Sequence, residues 1–180
     1  LELRDVESLR ADFGEQVRFG EPLAPYTSWK IGGPADAMVT VSDAAQLARL
    51  LRFCLRRRMA WWIIGGGSNV LVGDGGVRGV VVRLTGEFAA ARVHAEGDAV
   101  LVEAGGSAAM ALVTAKAASA GAVGIGSLAG IPGTIGGSLR MNAGTDREIG
   151  EFVRQVWVQS PSRPEPHAAD VRYLYRHSTL

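Results

Sequence analysis

The sequence predicts an α+β protein built from two small lobes. Hydrophobic residues make up 47% of the 180 residues and charged residues 21%, which is the composition of a folded globular chain. The first half of the chain has the pattern of a strand, an amphipathic helix and two further strands, and this order favours a lobe with parallel strand pairing. A polar stretch of mixed charge at residues 85–98 separates this pattern from the rest. We therefore expect lobe 1 over residues 1–84 and lobe 2 over residues 85–180.

The elements of lobe 1 follow from local patterns. Residues 5–12 have a partial apolar face and predict a short helix, and residues 37–41 have the composition of a strand. Ser42 is the predicted N-cap of a second helix, because it directly precedes a helical pattern. Short apolar runs predict two more strands, over residues 61–64 and 80–84. The apolar face of the second helix consists of Leu47, Leu50, Leu51, Cys54 and Leu55.

Lobe 2 is predicted to begin with a strand over residues 99–103. An Ala-rich helix follows, with Ser107 as its predicted N-cap and Gly121 just after its end. Residues 121–144 form a glycine-rich block, which interrupts regular structure. We expect one short helix inside this block, at residues 134–140.

The pattern weakens after the glycine-rich block. Apolar and polar residues alternate over residues 153–159, which predicts one more strand, and a Pro-rich loop follows at residues 160–166. Residues 168–176 are expected to begin a further element.

Charge and composition exclude several classes of function. Nineteen basic and 18 acidic residues give a net charge of +1, which provides no basis for binding nucleic acid or an anionic membrane. Residues 117–139 carry no charge over 23 residues, but seven glycines and Pro132 make them unfit for a spanning helix. The single Cys54 fits a reducing compartment. No metal site is expected, because the histidines lack ligand spacing and no C-x-x-C motif occurs.

Glycine is concentrated in one part of the chain. Nineteen of the 24 glycines lie within the 80 residues from 65 to 144. The first cluster is Gly65-Gly66-Gly67-Ser68-Asn69, which follows a predicted strand and is called here the first glycine loop (residues 65–69). Its backbone N–H groups can approach an anion closely, and Ser68 and Asn69 add side-chain donors. It matches neither the dinucleotide-binding G-x-G-x-x-G fingerprint nor a P-loop, and a simple tight turn is the alternative.

The second cluster is Gly130-Ile131-Pro132-Gly133-Thr134-Ile135-Gly136-Gly137-Ser138, the second glycine loop (residues 130–138). Pro132 stiffens a loop whose neighbours are permissive, which suits a preformed backbone surface. Thr134 is a candidate cap for the helix that follows. Two such loops suit a long ligand with a diphosphate and a flat ring, while a purely structural role for both is the alternative.

Four motifs then occur in order along the chain. They are residues 26–35 (YTSWKIGGPA), 65–72 (GGGSNVLV), 128–137 (LAGIPGTIGG) with 141–144 (MNAG), and 175–178 (YRHS). Together they resemble the motifs of the UDP-N-acetylenolpyruvoylglucosamine reductases (MurB), flavoenzymes of bacterial cell-wall synthesis. The first three are typical of the wider superfamily of FAD-linked oxidases and dehydrogenases, and the fourth favours the reductases. The Thr-Asp-Arg-Glu sequence after Gly144 departs from the family's usual Tyr-Gly-Gly-like continuation.

The resemblance implies a two-lobed FAD-binding fold, with FAD between the lobes and the substrate domain beyond residue 180. In that family NADPH reduces the flavin, which passes hydride to the enolpyruvyl group of a UDP-sugar and gives UDP-N-acetylmuramate for peptidoglycan synthesis. This implies a cytoplasmic enzyme that supports cell-wall growth, cell shape and division, and we expect a monomer. The resemblance assigns FAD contacts to Ile31, Gly32, Gly65, Gly66, Gly67, Ser68, Asn69, Ile131, Pro132, Gly133, Thr134, Gly136, Gly137, Ser138, Asn142 and Gly144.

The resemblance also assigns catalytic residues. Arg176 stabilises an enolate-like intermediate, and Tyr175 lines the same pocket. Ser178 belongs to the same motif and is not the family's proton donor. That donor, a late glutamate and most of the substrate domain follow residue 180 in the family, so we expect an N-terminal fragment that is inactive alone.

Two other functions stay open from the residues themselves. The glycine loops also fit an FAD-linked oxidase or dehydrogenase with another substrate. The lack of an acid/base pair fits a non-catalytic binding module.

Overall fold

The computed structural model describes residues 1–180 and divides into two compact units. Unit 1 comprises Leu1–Gly86 together with Gln159–Pro166. Unit 2 comprises Glu87–Val158 together with His167–Leu180. Each unit combines helices with strands, which confirms the predicted α+β class.

Unit 1 contains a four-stranded sheet made of β1 (Val17–Pro22), β2 (Pro34–Val41), β3 (Trp61–Ile64) and β4 (Val77–Leu84). The strands lie in the order β1-β2-β4-β3. β4 pairs in parallel with both β2 and β3, as predicted, and β1 pairs antiparallel with β2. The parallel pairing brings the carboxyl ends of β2, β3 and β4 to one edge of the sheet.

Both faces of the central strands are buried, as in a sheet that is covered on each side. Met38 pairs with Val81 on one face, and Val39 pairs with Val82 on the other. The first face packs against a cluster that contains Leu23, Ala35 and Ile64.

Unit 1 also contains the helices α1 (Leu3–Phe13) and α2 (Ala44–Arg57). The predicted N-cap of α2 is wrong by one residue, because Asp43 occupies that position and its carboxylate accepts a hydrogen bond from the Gln46 N–H at 2.8 Å. A carboxylate is favoured there by the positive end of the helix. Ser42 instead donates its own N–H to the Gln46 side chain at 3.1 Å.

Unit 2 begins with an antiparallel hairpin of β5 (Ala91–Glu96) and β6 (Ala99–Ala104). The strand predicted at residues 99–103 is therefore confirmed, and the polar stretch at residues 85–98 contains a strand, β5, that was not predicted. The sequence of β5, Ala-Arg-Val-His-Ala-Glu, does alternate apolar and polar residues, although most of the strand is exposed. Two of its three apolar positions are alanine, which is uncommon in strands, so the signal is weak.

Two helices of unit 2 follow. The predicted cap of α3 (Met110–Ser119) is wrong, because Ala109 is its N-cap residue and Ser107 lies in the turn before it. The Ser107 Oγ is buried and has no hydrogen-bond partner. The short helix predicted in the glycine-rich block is confirmed as α4 (Ile135–Met141), with Thr134 at its N-cap position but without a capping hydrogen bond from the threonine side chain.

The remaining strands are short. β7 (Val156–Val158) pairs antiparallel with β8 (His167–Ala169), and β9 (Tyr173–Leu174) pairs antiparallel with β10 (His177–Ser178). The strand predicted at 153–159 is thus confined to its centre.

The core of unit 2 joins α3 to the glycine-rich block. The buried residues of this core are Ala108, Met110, Val113, Leu128, Ile135 and Ile149.

No helix of the structure combines the length and the apolar character needed to cross a membrane. Short 3₁₀ helices lie at Gly14–Gln16, Ala24–Tyr26, Gly86–Ala89, Ile125–Leu128 and Ile149–Phe152.

The corrected cap of α2 gives a test of the local structure. We expect Asp43→Ala to lower the free energy of unfolding by about 1 kcal/mol, because the Gln46 N–H loses its acceptor. Ser42→Ala is the matched control and is expected to change stability by less than about 0.5 kcal/mol. Urea unfolding followed by circular dichroism measures both, and a larger loss for the Ser42 variant would contradict the assignment.

Candidate functional site

The first glycine loop begins where β3 ends, at the carboxyl edge of the sheet of unit 1. Ligands of open α/β sheets bind at this kind of edge. The N–H groups of Gly66, Gly67 and Asn69 donate to no backbone carbonyl oxygen. The loop therefore presents a set of open backbone donors, the arrangement that an anion requires.

The shape of this loop is fixed by residues 26–34, which lead into β2 and are called here the Trp29 segment. The Ser28 N–H donates to the Gly67 carbonyl oxygen at 3.0 Å. Gly67 has a φ of +65°, and a Cβ added there would lie 2.0 Å from the Tyr26 carbonyl oxygen. Only glycine permits this conformation together with this close approach.

A second close contact follows along the same two segments. Gly33 donates its N–H to the Gly73 carbonyl oxygen at 3.0 Å. A Cβ on Gly76, whose φ is +73°, would lie 1.8 Å from the Pro34 carbonyl oxygen. The Trp29 segment and the chain after the first glycine loop are thus packed backbone against backbone.

A groove of about 240 Å³ opens between the first glycine loop and the Trp29 segment. Two cations, Lys30 and Arg83, line it. Lys30 donates to the Pro25 carbonyl oxygen at 3.3 Å, and the Arg83 guanidinium lies 5.5 Å from the centre of the Tyr26 ring. The remaining lining residues are Pro25, Tyr26, Thr27, Ser28, Gly65 and Gly66.

The Tyr26 hydroxyl is hydrogen-bonded beside this groove. Its hydroxyl donates to the Glu21 carboxylate at 2.7 Å. The pKa of Tyr26 is raised, first by this hydrogen bond and then by burial and by the negative charge of Glu21. The groove thus carries two positive side chains and open N–H donors, which suits a diphosphate.

Only some of the predicted FAD-contact residues of unit 1 line this groove. Gly65 and Gly66 line the groove, whereas Ile31 and Gly32 lie at the end of the Trp29 segment and do not line it. The Ile31 carbonyl oxygen accepts a hydrogen bond from the buried Thr27 hydroxyl at 2.9 Å.

Sequence reasoning missed the two cations. Lys30 lies inside the motif at residues 26–35, and Arg83 is the one charged residue in the apolar run Val80 to Leu84. A charge in such a run is the signal that would have identified it. A larger depression on unit 1, about 500 Å³, contains none of the predicted site residues.

In unit 2, the second glycine loop is anchored by backbone hydrogen bonds to the turn before α3. The Ile135 N–H donates to Ala108 at 2.9 Å, and the Gly136 N–H donates to Gly106 at 2.8 Å. The N–H groups of Gly133, Thr134 and Gly137 donate to no backbone carbonyl oxygen.

The buried Ser107 hydroxyl lies in the same turn. It has no hydrogen-bond partner within the chain, although buried hydroxyl groups nearly always have one. Together with the open N–H groups of the second glycine loop, it makes this part of unit 2 suited to a polar ligand. FAD, which combines a diphosphate with a flat polar ring, fits both glycine loops on these observations.

The last residue of the second glycine loop and two predicted FAD-contact residues after it make structural contacts within unit 2. Ser138 and Asn142 are buried in α4 and at its C-cap. The Asn142 side-chain amide hydrogen-bonds to Leu174 and Gly150. The Gly144 carbonyl oxygen accepts a hydrogen bond from the Arg176 guanidinium at 2.8 Å.

Residues 174–178 form the Arg176 turn, which connects β9 to β10. Arg176 has a φ of +56°, and its guanidinium lies 5.5 Å from the centre of the Tyr175 ring. Tyr175 is 81% exposed. Ser178 is fully buried, and its hydroxyl donates to the Arg140 carbonyl oxygen at 3.0 Å, so it has a structural role. The Arg176 guanidinium therefore contacts Gly144, which lies shortly after the second glycine loop and α4.

Comparison with known proteins shows the family of this chain. The FAD binding domain family matches residues 35–158. A UDP-N-acetylenolpyruvoylglucosamine reductase of Heliobacterium modesticaldum is 37% identical over 178 residues, which cover 97% of this chain and 55% of that protein. One from an Anaeromyxobacter species is 46% identical over 148 residues, which cover 79% and 44%.

A solved structure gives the same result. The crystal structure of UDP-N-acetylenolpyruvylglucosamine reductase (MurB) from Thermus caldophilus superposes with a TM-score of 0.71 at 31% identity, over 91% of this chain and 56% of that one. These matches confirm the resemblance drawn from the four motifs and the predicted fold. The chain spans about half the length of the curated relatives it matches.

The contact between the first glycine loop and the Trp29 segment can be tested by substitution. Gly67→Ala is expected to lower the free energy of unfolding by about 2 kcal/mol or more, because the new Cβ meets the Tyr26 carbonyl oxygen in a left-handed conformation. Gly75→Ala, where an added Cβ meets nothing within 4 Å, is the matched control. Urea unfolding compares the two, and equal stability would show that the loop does not pack as described.

Proposed function

We propose that this chain, which belongs to the FAD binding domain family, is the FAD-binding part of a reductase that converts UDP-N-acetylglucosamine enolpyruvate to UDP-N-acetylmuramate with NADPH. The observation that carries the proposal is the hydrogen bond from Arg176 to Gly144, since it ties a cationic turn to the segment of the second glycine loop. The relatives named above support the same reaction.

FAD would be held at two places. In unit 1, the open N–H groups of the first glycine loop and the cations Lys30 and Arg83 would bind the diphosphate. In unit 2, the open N–H groups of the second glycine loop and the Ser107 hydroxyl would bind other polar atoms of the cofactor. When bound, FAD supplies the hydride chemistry, taking hydride from NADPH and giving it to the enolpyruvyl group.

Arg176 would stabilise the charge that develops on the substrate. Hydride addition to an enol ether beside a carboxylate accumulates negative charge there, and a permanently charged, planar guanidinium suits it. The one hydrogen bond that this guanidinium makes within the chain is to Gly144, so its other N–H groups can bind substrate. Tyr175, exposed beside it, would line the same pocket.

We also propose a setting for the protein. Its small-molecule partner is a UDP-sugar, its place is the cytoplasm, and it acts as a monomer. The single cysteine supports a reducing compartment, because Cys54 has no second cysteine in this chain with which to form a disulfide. Burial also raises the pKa of its thiol to about 11, so the thiol is unreactive. The near-neutral net charge gives no support to a nucleic-acid partner.

The primary experiment is FAD binding by the purified chain. We expect a yellow protein with oxidised-flavin absorbance bands and quenched or shifted flavin fluorescence. A protein that stays colourless after reconstitution with FAD would contradict the proposal. NADPH oxidation that depends on the enolpyruvyl UDP-sugar, measured with the full-length protein, separates this reductase from an FAD-linked oxidase.

Gly137→Ala tests the second glycine loop without damaging the fold. An added Cβ meets only the Thr134 Oγ1, at an ordinary 3.6 Å, and alanine favours the helix that contains it. We expect unchanged or higher stability but an FAD dissociation constant raised about tenfold, because the methyl group covers an open N–H. Gly126→Ala, with nothing within 4 Å of the added Cβ, is the control and should leave FAD affinity unchanged. Equal affinities of the two variants would show that FAD does not approach this N–H.

Arg176→Gln tests the charge at the turn. Both residues have the same backbone preference, so the turn is retained while the charge is lost. We expect kcat of the full-length reductase to fall by about 10² to 10³, with FAD affinity unchanged. Stopped-flow reduction and reoxidation of the flavin measure the two half-reactions separately, and only the second should slow. Unaltered turnover would remove Arg176 from the chemistry.

A further inference from the structure

We infer that Asn142 is a positioning residue, which holds the Arg176 turn in a fixed place relative to the second glycine loop. The inference rests on the proposed function, because it concerns the residue proposed to meet the substrate. It assigns the Asn142 side chain to the alignment of Arg176 and not to a direct contact with FAD.

Asn142 lies where the helix that begins in the second glycine loop meets the Arg176 turn. It is the C-cap residue of α4, whose first residues belong to the second glycine loop. Its φ of +45° places it in the left-handed conformation, which asparagine tolerates better than most residues. The side chain is 1% exposed and therefore points into unit 2.

Both ends of the Asn142 amide are used within the chain. Its Nδ2 donates to the Leu174 carbonyl oxygen at 2.9 Å and to the Glu148 carboxylate. Its Oδ1 accepts from the Gly150 N–H at 3.0 Å. A buried amide with these partners has little freedom to reorient, since each lost bond leaves a buried polar group unpaired.

A second pair of hydrogen bonds holds the other end of the turn. The Ser178 hydroxyl donates to the Arg140 carbonyl oxygen at 3.0 Å, and the Arg140 guanidinium donates to the Ser178 carbonyl oxygen at 3.0 Å. Leu174 and Ser178 are the two ends of the Arg176 turn, and both are bound to the C-terminal end of α4. Arg176 therefore lies between two anchors, and its own bond to Gly144 is a third contact with the same segment.

This arrangement favours catalysis by restricting a long side chain before substrate arrives. Arginine has many rotamers, and a guanidinium that is displaced by about 1 Å loses much of its effect on a developing charge. Of the two anchors, the Asn142 amide is the more central, because it also holds Glu148 and Gly150.

Asn142→Gly is the first test, because glycine keeps the left-handed backbone and removes the amide. We expect hydrogen exchange of the backbone amides at residues 173–178 to rise about tenfold or more. We expect the FAD dissociation constant to change by less than about threefold and kcat of the full-length reductase to fall about tenfold. Unchanged exchange in the turn, or a loss of FAD affinity in step with kcat, would overturn the inference.

Two substitutions distinguish the effect of the Leu174 contact from the effect of the Glu148 contact. Asn142→Asp retains the acceptor for Gly150 but cannot donate to Leu174 or Glu148. Adding Glu148→Gln supplies a donor to the new carboxylate and restores that contact alone. We expect the double variant to remain defective in turn protection and kcat, and full recovery would overturn the role of the Leu174 contact.

A double-mutant cycle with Arg176→Gln distinguishes positioning from a general structural effect. If Asn142 acts through Arg176, then Asn142→Gly causes little further loss of kcat in the Arg176→Gln background. Fully additive losses would overturn the inference. A parent protein without FAD binding or turnover would overturn the proposed function instead, and the exchange measurement, which needs neither, would then decide the role of Asn142.

Discussion

The close approach of backbone to backbone at glycine positions is the constraint on which the rest of the structure depends. In unit 1, the absence of a side chain at Gly67 and Gly76 lets the Trp29 segment lie directly against the chain that follows β3. The carbonyl oxygens of these segments are then used for packing, while several N–H groups stay open. A surface of this kind recognises the oxygen atoms of an anion without needing a charged side chain at every point.

The two glycine loops present their open N–H groups in different surroundings. The first follows a parallel strand and has Lys30 and Arg83 close to it, so charge is added to the backbone donors. The second is held against the turn before α3 by hydrogen bonds such as Gly136 to Gly106, and Ser107 adds a buried neutral hydroxyl. Full positive charge suits a diphosphate, whereas neutral donors suit the carbonyl and ring-nitrogen atoms of a flavin.

Local patterns predicted those parts of the fold that are determined by neighbours in sequence. The apolar run of β3, the helical spacing of α2 and the short helix α4 are all present. β1 has only a weak signal, since Gly20 and Pro22 interrupt a run of six residues. β5 alternates apolar and polar residues, but two of its three apolar positions are alanine, which is uncommon in strands. The N-caps of α2 and α3 were misplaced by one or two residues, because local sequence identifies a polar residue near a helix start but not which one completes it.

The candidate site was predictable as a set of motifs but not as a set of contacts. Spacing identified both glycine loops, whereas the bond from Asn142 to Leu174 joins residues 32 positions apart and depends on tertiary packing. The Arg176 turn also explains one property of the YRHS motif. His177 is exposed between two anchored neighbours, and no side-chain hydrogen bond of the turn uses it. Replacing His177 would therefore remove none of these hydrogen bonds, which makes this position a suitable place to attach a spectroscopic label that reports on the turn.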